Sequence, residues 1–292
     1  MMKIIKYTFE ALFVYSLFLI VRILGLKIGR KLIASLFLNI GFVFKSKEIV
    51  KKNISYALGQ LNENEIKNIT EFMWKNYGFI FAEYLYLDKF RHNKFPKPQI
   101  KIFGKKILEN LVKSNKPAVF ISGHFGNFEL MAMELEKNNV NLGAIYRPLN
   151  NFFLNPFMVS LRKKYICKKQ IPKGKAGVRE VIELMKKNCS IALMVDQRLG
   201  ESERYPFFNK PAHTTTLPAQ LALKFGCEII PVYIERNLDN TFDINIYSPL
   251  KINRTDNFQE DKNRITVEIN RIIEKMILKN PKQWIWTHNR WK

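Results

Sequence analysis

Between residue 96 and the end of the chain, short apolar runs alternate with stretches of helical character. The runs lie at 100–103, 118–122, 142–146, 191–195 and 229–234, and the helix-like stretches near 106–114, 127–138, 176–188 and 216–226. Runs of four to six apolar residues fit strands covered on both faces better than they fit helices, which need a longer pattern. Strands that recur after each helix fit a largely parallel sheet, because a parallel connection needs a crossover segment. The expected fold is therefore α/β, with a mostly parallel central sheet flanked by helices. Ligands of such sheets bind beyond the carboxyl ends of the strands, so the chemistry is sought just after each run. The sequence carries no internal repeat.

The first 44 residues differ from everything after them. Residues 11–21 read ALFVYSLFLIV without a charge, and ILGL follows Arg22. About 20 apolar residues cross a bilayer core, and 9–26 reaches the lower limit only by tolerating Glu10 and Arg22. A single spanning or deeply embedded membrane helix is expected. A cleaved signal peptide would show a small-x-small site soon after the run, and none follows promptly. Residues 32–44, bracketed by Arg30, Lys31, Lys45 and Lys47, resemble an interfacial helix with a basic rim, or an ordinary core helix. Basic residues flank the first run on both sides, so charge bias fixes no orientation. Asn62 with Glu65 makes a capping-box pattern, and apolar residues from Ile66 to Tyr84 recur at helical spacing in one long helix ending near Asp88. The polar stretch 91–99, with Pro96 and Pro98, reads as a connector. The expected division is 1–44 as membrane anchor and interfacial helices, 45–95 as a helical region, and 96–292 as the α/β domain.

Charge narrows the partners. With 292 residues and 47% hydrophobic content, the chain can bury a sizeable core and is not disordered. Lys and Arg number 48 against 25 Asp and Glu, a net charge of +23, so its partners should be anionic. Nucleic acid, anionic lipid and acidic proteins all qualify, but no nucleic-acid module is found and no nucleic acid is expected. Cys167, Cys189 and Cys227 lie far apart without CxxC spacing, which speaks against disulfides or a zinc site and suits a reducing compartment.

One constellation carries chemistry. After the run AVFIS come Gly123-His124-Phe125-Gly126-Asn127-Phe128-Glu129 and then a helix-like stretch. With His124 in the strand-to-helix turn and Glu129 in the first helical turn, the carboxylate can point back to the imidazole; Gly123 and Gly126 permit that turn. A carboxylate on one ring nitrogen fixes the tautomer and leaves the other nitrogen free to take a proton from a hydroxyl. No nucleophile stands beside the pair, since Ser122 ends the strand, so direct transfer to a substrate hydroxyl is expected. Asp196, after another strand, reads as orienting Arg162 or a substrate hydroxyl, or as a strand-end cap. From Arg162 to Lys175 seven basic residues occur without an acid, a basic edge suited to phosphates or an acidic carrier, or a solvated face. Gly174-Lys175 opens a helix whose free amides could hold an anion, without the ending of a nucleotide P-loop. His213 could face the site, and Arg290 and Lys292 could meet lipid phosphate.

These blocks, taken in order, resemble the lipid A biosynthesis acyltransferases, the late lauroyl/myristoyl branch of the lysophospholipid acyltransferase superfamily. GHFGNFE is similar to the family's HxxxxD/E motif, Tyr146-Arg147-Pro148-Leu149-Asn150-Asn151 to its YRP-x-(D/N)-N block, and Leu161-Arg162 to its downstream arginine. Met194-Val195-Asp196-Gln197 resembles its strand-end DQ pair, residues 214–231 its T…P…A…G…IIP segment, and 284–292 its tail. Leu217-Pro218 departs from the Gly/Ala-like helix start of that segment. The resemblance spans nearly the whole chain.

It implies transfer of a fatty acyl chain from acyl carrier protein to a hydroxyl of a Kdo-bearing lipid A precursor. His124 becomes the general base and Glu129 its partner; Arg147, Arg162, Asp196 and Gln197 become substrate-binding candidates. No cofactor and no metal are implied beyond the acyl carrier protein thioester as co-substrate. The implied partners are acyl carrier protein, a phosphorylated lipid A precursor and the inner membrane, with the catalytic domain facing the cytoplasm. Acidic carrier and phosphorylated acceptor both suit a strongly basic protein. The same His/Glu pair would serve a lysophospholipid or a glycosylated phosphoinositide, and a non-catalytic basic membrane or nucleic-acid-binding protein is the rival from another class.

Overall fold

The structure, a computed structural model, describes all of residues 1–292 except Lys45, Leu199, Glu201 and Lys292. The basic bracket at Lys45 and the lipid contact expected of Lys292 thus lie outside the described residues.

The two N-terminal apolar segments are halves of one element. Helix α1 (Met2–Phe44) bends at Gly25, whose φ of 77° and ψ of 165° leave the helical region at a residue without a Cβ to strain. Helices α2 (Lys47–Leu58) and α3 (Glu63–Glu83) follow. The capping box forms as read: the Asn62 side chain accepts from the Glu65 N–H at 2.9 Å, and the Glu65 carboxylate accepts from the Asn62 N–H at 2.8 Å. The helix expected to run to Asp88 instead breaks after Glu83 into a 3₁₀ turn at Tyr84–Tyr86 and the short α4 (Leu87–Arg91). At that break Glu83 and Tyr84 turn their polar groups to buried partners on other elements.

The second half of α1 lies against α3 so closely that a Cβ on Gly78 would come within 2.6 Å of the Ala34 backbone. Glu83 locks the contact. Its carboxylate accepts from Arg30 Nε of α1 at 2.7 Å and from Arg236 Nη1 and Nη2 at 2.5 and 3.0 Å. It also accepts from Asn127 Nδ2 at 2.8 Å, beside the His124 turn. Burial alone would raise the Glu83 pKa, but the two guanidiniums hold it below its ordinary value, so the carboxylate stays ionised.

The α/β expectation holds. Strands β1 (Ile100–Phe103), β2 (Ala118–Ser122) and β3 (Leu142–Tyr146) match the sequence runs. Between them lie α5 (Lys105–Ser114) and α6 (Glu129–Lys137). Then come α7 (Asn155–Leu161), which continues into a π-helical turn at Arg162–Ile166, then β4 (Lys169–Pro172), α8 (Lys175–Lys186) and β5 (Ser190–Met194). A hairpin of β6 (Arg204–Phe207) and β7 (Lys210–His213) stands apart from the main sheet. The chain closes with α9 (Leu217–Phe225), β8 (Glu228–Arg236), β9 (Phe242–Ile246) and α10 (Phe258–Lys279). Pro218 falls in the first turn of α9, where a missing N–H costs no helical bond.

The main sheet has seven strands in the order β1–β9–β8–β2–β5–β3–β4, parallel throughout except where β9 runs antiparallel to β8. Successive residues of the central strands serve opposite cores. Val119, Ile121, Ile191 and Leu193 join one, while Ala118, Phe120, Ala192 and Ile230 join the other, which is why these strands read as unbroken apolar runs.

Candidate active site

Strands β2 and β5 are parallel neighbours, and their register pairs Ser122 with Met194. Two residues further along each strand come His124 and Asp196, which therefore emerge level beyond the carboxyl edge. Asp196 Oδ1 lies 2.8 Å from His124 Nδ1, while Oδ2 accepts from the His124 backbone N–H and from Trp284 Nε1, both at 2.8 Å. Gly123 makes this approach possible, since a Cβ there would come within 2.6 Å of the Phe125 ring and 3.2 Å of Asp196 Oδ2. Burial alone would raise the Asp196 pKa. Attraction to the His124 ring when it is protonated, the two hydrogen bonds from His124 and the indole N–H outweigh it and bring the carboxyl to about 2. An ionised carboxylate only accepts, so Nδ1 carries the proton and Nε2 presents its lone pair. Gln197 Nε2 stands 3.5 Å from that nitrogen.

The carboxylate on the imidazole is thus that of Asp196, and not that of Glu129 as expected from local spacing. Glu129, in the first turn of α6, is turned instead to the π-helical turn after α7 and the 3₁₀ turn after α3. It accepts from Arg162 Nε at 3.0 Å and Nη2 at 2.5 Å, and from the Tyr84 hydroxyl; Tyr84 in turn accepts from Arg162 Nη2 at 2.8 Å. Burial, reinforced by the Glu129 charge, holds the Tyr84 phenol well above its ordinary pKa, so it remains a donor. The π-helical turn that ends α7 aims Arg162 inward, and its Nη1 has no hydrogen-bond partner among the described residues. Asp196 does not orient Arg162; the two belong to separate carboxylate pairs on one cavity.

That cavity has a volume of about 760 Å³, and His124, Glu129, Arg147, Arg162 and Gln197 all line it. It opens where the sheet parts. Pairing between β3 and β5 ends at Ala144 and Ala192, whereas β3 stays paired with β4 to Tyr146 and β5 with β2 to Met194. Beyond the last shared row, Ile145 and Tyr146 on one side and Leu193 and Met194 on the other become cavity wall. Phe128, Met131, Ala132 and Ile166 extend the apolar lining. Arg147 and Lys173 sit at the ends of β3 and β4, where partial burial and the like charge of Arg147 lower the Lys173 pKa. Two cations held together beside an apolar cavity favour an anion between them.

Other expected residues fall elsewhere. Gly174 and Lys175 border the cavity at the start of α8. His213 closes β7, with Nδ1 on the Ser202 carbonyl and Nε2 accepting from Arg204 Nε at 3.3 Å. Arg290 is fully buried and donates to Thr214 Oγ1 at 2.9 Å and to the His213 carbonyl, so it cannot reach lipid phosphate. Trp284, Tyr84 and the carboxylate role of Asp196 went unread. Of these only Asp196 carried a signal, its place just after a strand like that of His124 and its match to the family's strand-end pair.

A sequence model of the family described as "Bacterial lipid A biosynthesis acyltransferase" matches residues 2–292. The chain is 24% identical over 257 residues to the lipid A biosynthesis palmitoleoyltransferase of Escherichia coli (strain K12), covering 86% of this chain and 80% of that one. It is 26% identical over 250 residues to the lipid A biosynthesis acyltransferase of Haemophilus influenzae, covering 84% and 76%. The lipid A biosynthesis acyltransferase of Shigella flexneri is 24% identical over 257 residues.

Proposed function

The chain belongs to the bacterial lipid A biosynthesis acyltransferase family, and from that premise we propose that it moves a fatty acyl chain from the thioester of acyl carrier protein to a hydroxyl of a phosphorylated, Kdo-bearing lipid A precursor. It works at the cytoplasmic side of the inner membrane and needs no cofactor. The observation that carries this reading is the His124–Asp196 pair, 2.8 Å apart, with His124 on the wall of a cavity large enough for an acyl chain and Asp196 buried behind it.

His124 Nε2 takes the proton of the acceptor hydroxyl as its oxygen attacks the thioester carbonyl. The C–S bond breaks as the tetrahedral intermediate collapses, and the imidazolium returns the proton to the departing thiolate. Asp196 keeps the tautomer and stabilises the imidazolium, a contribution of about 10²- to 10⁴-fold for such a base. Arg162, held from behind by Glu129 and Tyr84, offers its unpartnered Nη1 to negative charge on the reacting groups. Arg147 and Lys173 receive a phosphate of the acceptor, and the lysines after Arg162 face the acidic carrier.

Purified protein in detergent, supplied with acyl carrier thioester, is offered a Kdo-bearing lipid A precursor in one reaction and a lysophospholipid in another. Mass spectrometry should show one acyl chain gained by the first acceptor. Transfer to the lysophospholipid alone would overturn the acceptor, and no transfer to either would overturn the enzyme.

A further inference from the structure

Helix α1 is long and apolar enough to cross a membrane, with a mean hydropathy of 2.1 in its best window. Its first half, however, is docked along its length, on the 151–153 loop of the α/β domain and on α3 and the 3₁₀ turn after it. The Tyr7 carbonyl and Glu10 Oε2 accept from Asn151 Nδ2 at 2.8 and 3.2 Å, and the Tyr15 hydroxyl donates to the Phe153 carbonyl at 3.0 Å. Phe18 stacks on Phe81 at 4.6 Å, and the Val21 carbonyl accepts from the Tyr86 hydroxyl at 3.1 Å. From Tyr7 to Val21 a helix rises roughly 21 Å. A helix crossing the bilayer would carry that length of domain surface into hydrocarbon, including Asn151, Glu10 and the irregular backbone at 151–154, whose polar groups cost several kcal/mol each there.

The side chains divide accordingly. Ala11, Phe18 and Val21 point to the domain and are buried. On the opposite side, at the same helical spacing, Phe9, Leu12, Leu19 and Ile23 are 69%, 58%, 62% and 74% exposed. Lys3, Lys6, Arg22 and Lys27 are exposed along the helix, Lys3 and Arg22 toward its docked side. Phe152 and Phe153, also exposed, continue the apolar surface from the domain side. Ile5, Phe13, Ile20 and Leu24 widen this exposed apolar face, and with basic residues along the same helix it is complementary to one occupant, an anionic lipid surface entered to the depth of the acyl boundary.

Building on the membrane reading above, we infer that the first half of α1 lies flat in the membrane interface rather than across it. Its outer strip and Phe152–Phe153 form one seat on the lipid, with the N terminus on the same side as the catalytic domain. The seat also adjoins the site. Arg147, at the cavity, is four residues from Asn151, which α1 holds, so the seat and the cavity share one short segment of chain.

The test uses single cysteines at Phe9, Leu12, Leu19 and Ile23 in the full chain, labelled with a fluorophore. Native Cys167, Cys189 and Cys227 are buried and react little. The protein is bound to vesicles of phosphatidylethanolamine and phosphatidylglycerol containing lipids brominated at known depths. All four probes should report one depth, within about 5–10 Å of the headgroup boundary. In spheroplasts, Lys3→Cys should resist a membrane-impermeant maleimide until the membrane is opened. Probes at Phe9 and Ile23 at depths about 20 Å apart, or Lys3→Cys labelled from outside, would overturn the in-plane seat and leave membrane binding standing. Failure of the protein to bind the vesicles at all would overturn the membrane reading beneath it.

Discussion

Replacing Asp196 by Asn tests the site at its most constrained point, because shape is kept while charge and one acceptor are lost. Oδ2 of Asp196 receives two donors, the His124 backbone N–H and Trp284 Nε1, whereas Oδ1 faces only the ring. The asparagine oxygen will take the position with two donors, which sets its NH₂ against His124 Nδ1. That nitrogen must then accept, the proton moves to Nε2, and the base is lost. A fall of about 10²- to 10⁴-fold in kcat follows, the range for removing a general base or fixing its wrong tautomer. Stability changes too. The Asp196 pKa is lowered from 3.8 to about 2, and at about 1.4 kcal/mol per unit this is worth about 2 kcal/mol once the carboxyl is ionised beside a protonated ring. Because the folded value lies below the unfolded one, the contribution is complete above about 3.8 and disappears as pH falls through about 2. The stability gap between wild type and D196N, measured by denaturant unfolding, should therefore close over that window. Single-turnover acyl transfer gives the rate, and ¹⁵N NMR of the imidazole gives the tautomer, with Glu129→Gln as the comparison that should leave it unchanged. A folded D196N within threefold of the wild-type rate, or a tautomer that follows Glu129 instead, would refute the assignment.

Arg162→Ala should lower kcat and, by leaving the Glu129 carboxylate buried without its cation, destabilise the fold by about 3–5 kcal/mol; adding Glu129→Met should restore melting temperature but not turnover. Replacing Lys163, Lys164 and Lys168 by Ala should raise KM for acyl carrier thioester and flatten its salt dependence at nearly constant kcat, since exposed charges steer encounter and are screened beyond about 10 Å at 0.1 M salt. An unchanged salt series would place carrier docking elsewhere. Gly78→Leu should force α1 off α3, because even a Cβ would meet the Ala34 backbone at 2.6 Å; limited proteolysis should then cut near residue 45 faster than in wild type.

Strands buried on both faces were legible because burial leaves them no polar positions. Ala118–Ser122 reads as a strand from its five letters alone. By contrast β4 carries Lys169 and Pro172, tolerated because it is the edge of the sheet, and an edge strand resembles a loop in sequence. His124 and Glu129 were found together through spacing, but which carboxylate meets the ring depends on the register of β2 against β5, a fact of tertiary structure. Placing the end of the fifth strand at 195 rather than 194 hid the equal offset of His124 and Asp196. Trp284 enters from the far end of the chain, and no local pattern marks an indole as the donor to a carboxylate 88 residues away.

The Glu83 lock has a consequence in time. Arg30 and Glu83 are made early, but Arg236 leaves the ribosome about 200 residues after Arg30, roughly 10–40 s later at 5–20 residues per second. Through that interval α1 is finished and apolar, covered in part by α3, while the charge cluster that fixes it is incomplete, so its outer face is open to a lipid surface during synthesis. Trp284 follows another 48 residues after Arg236. A chain still being made can therefore meet a lipid surface before Asp196 has its full set of donors.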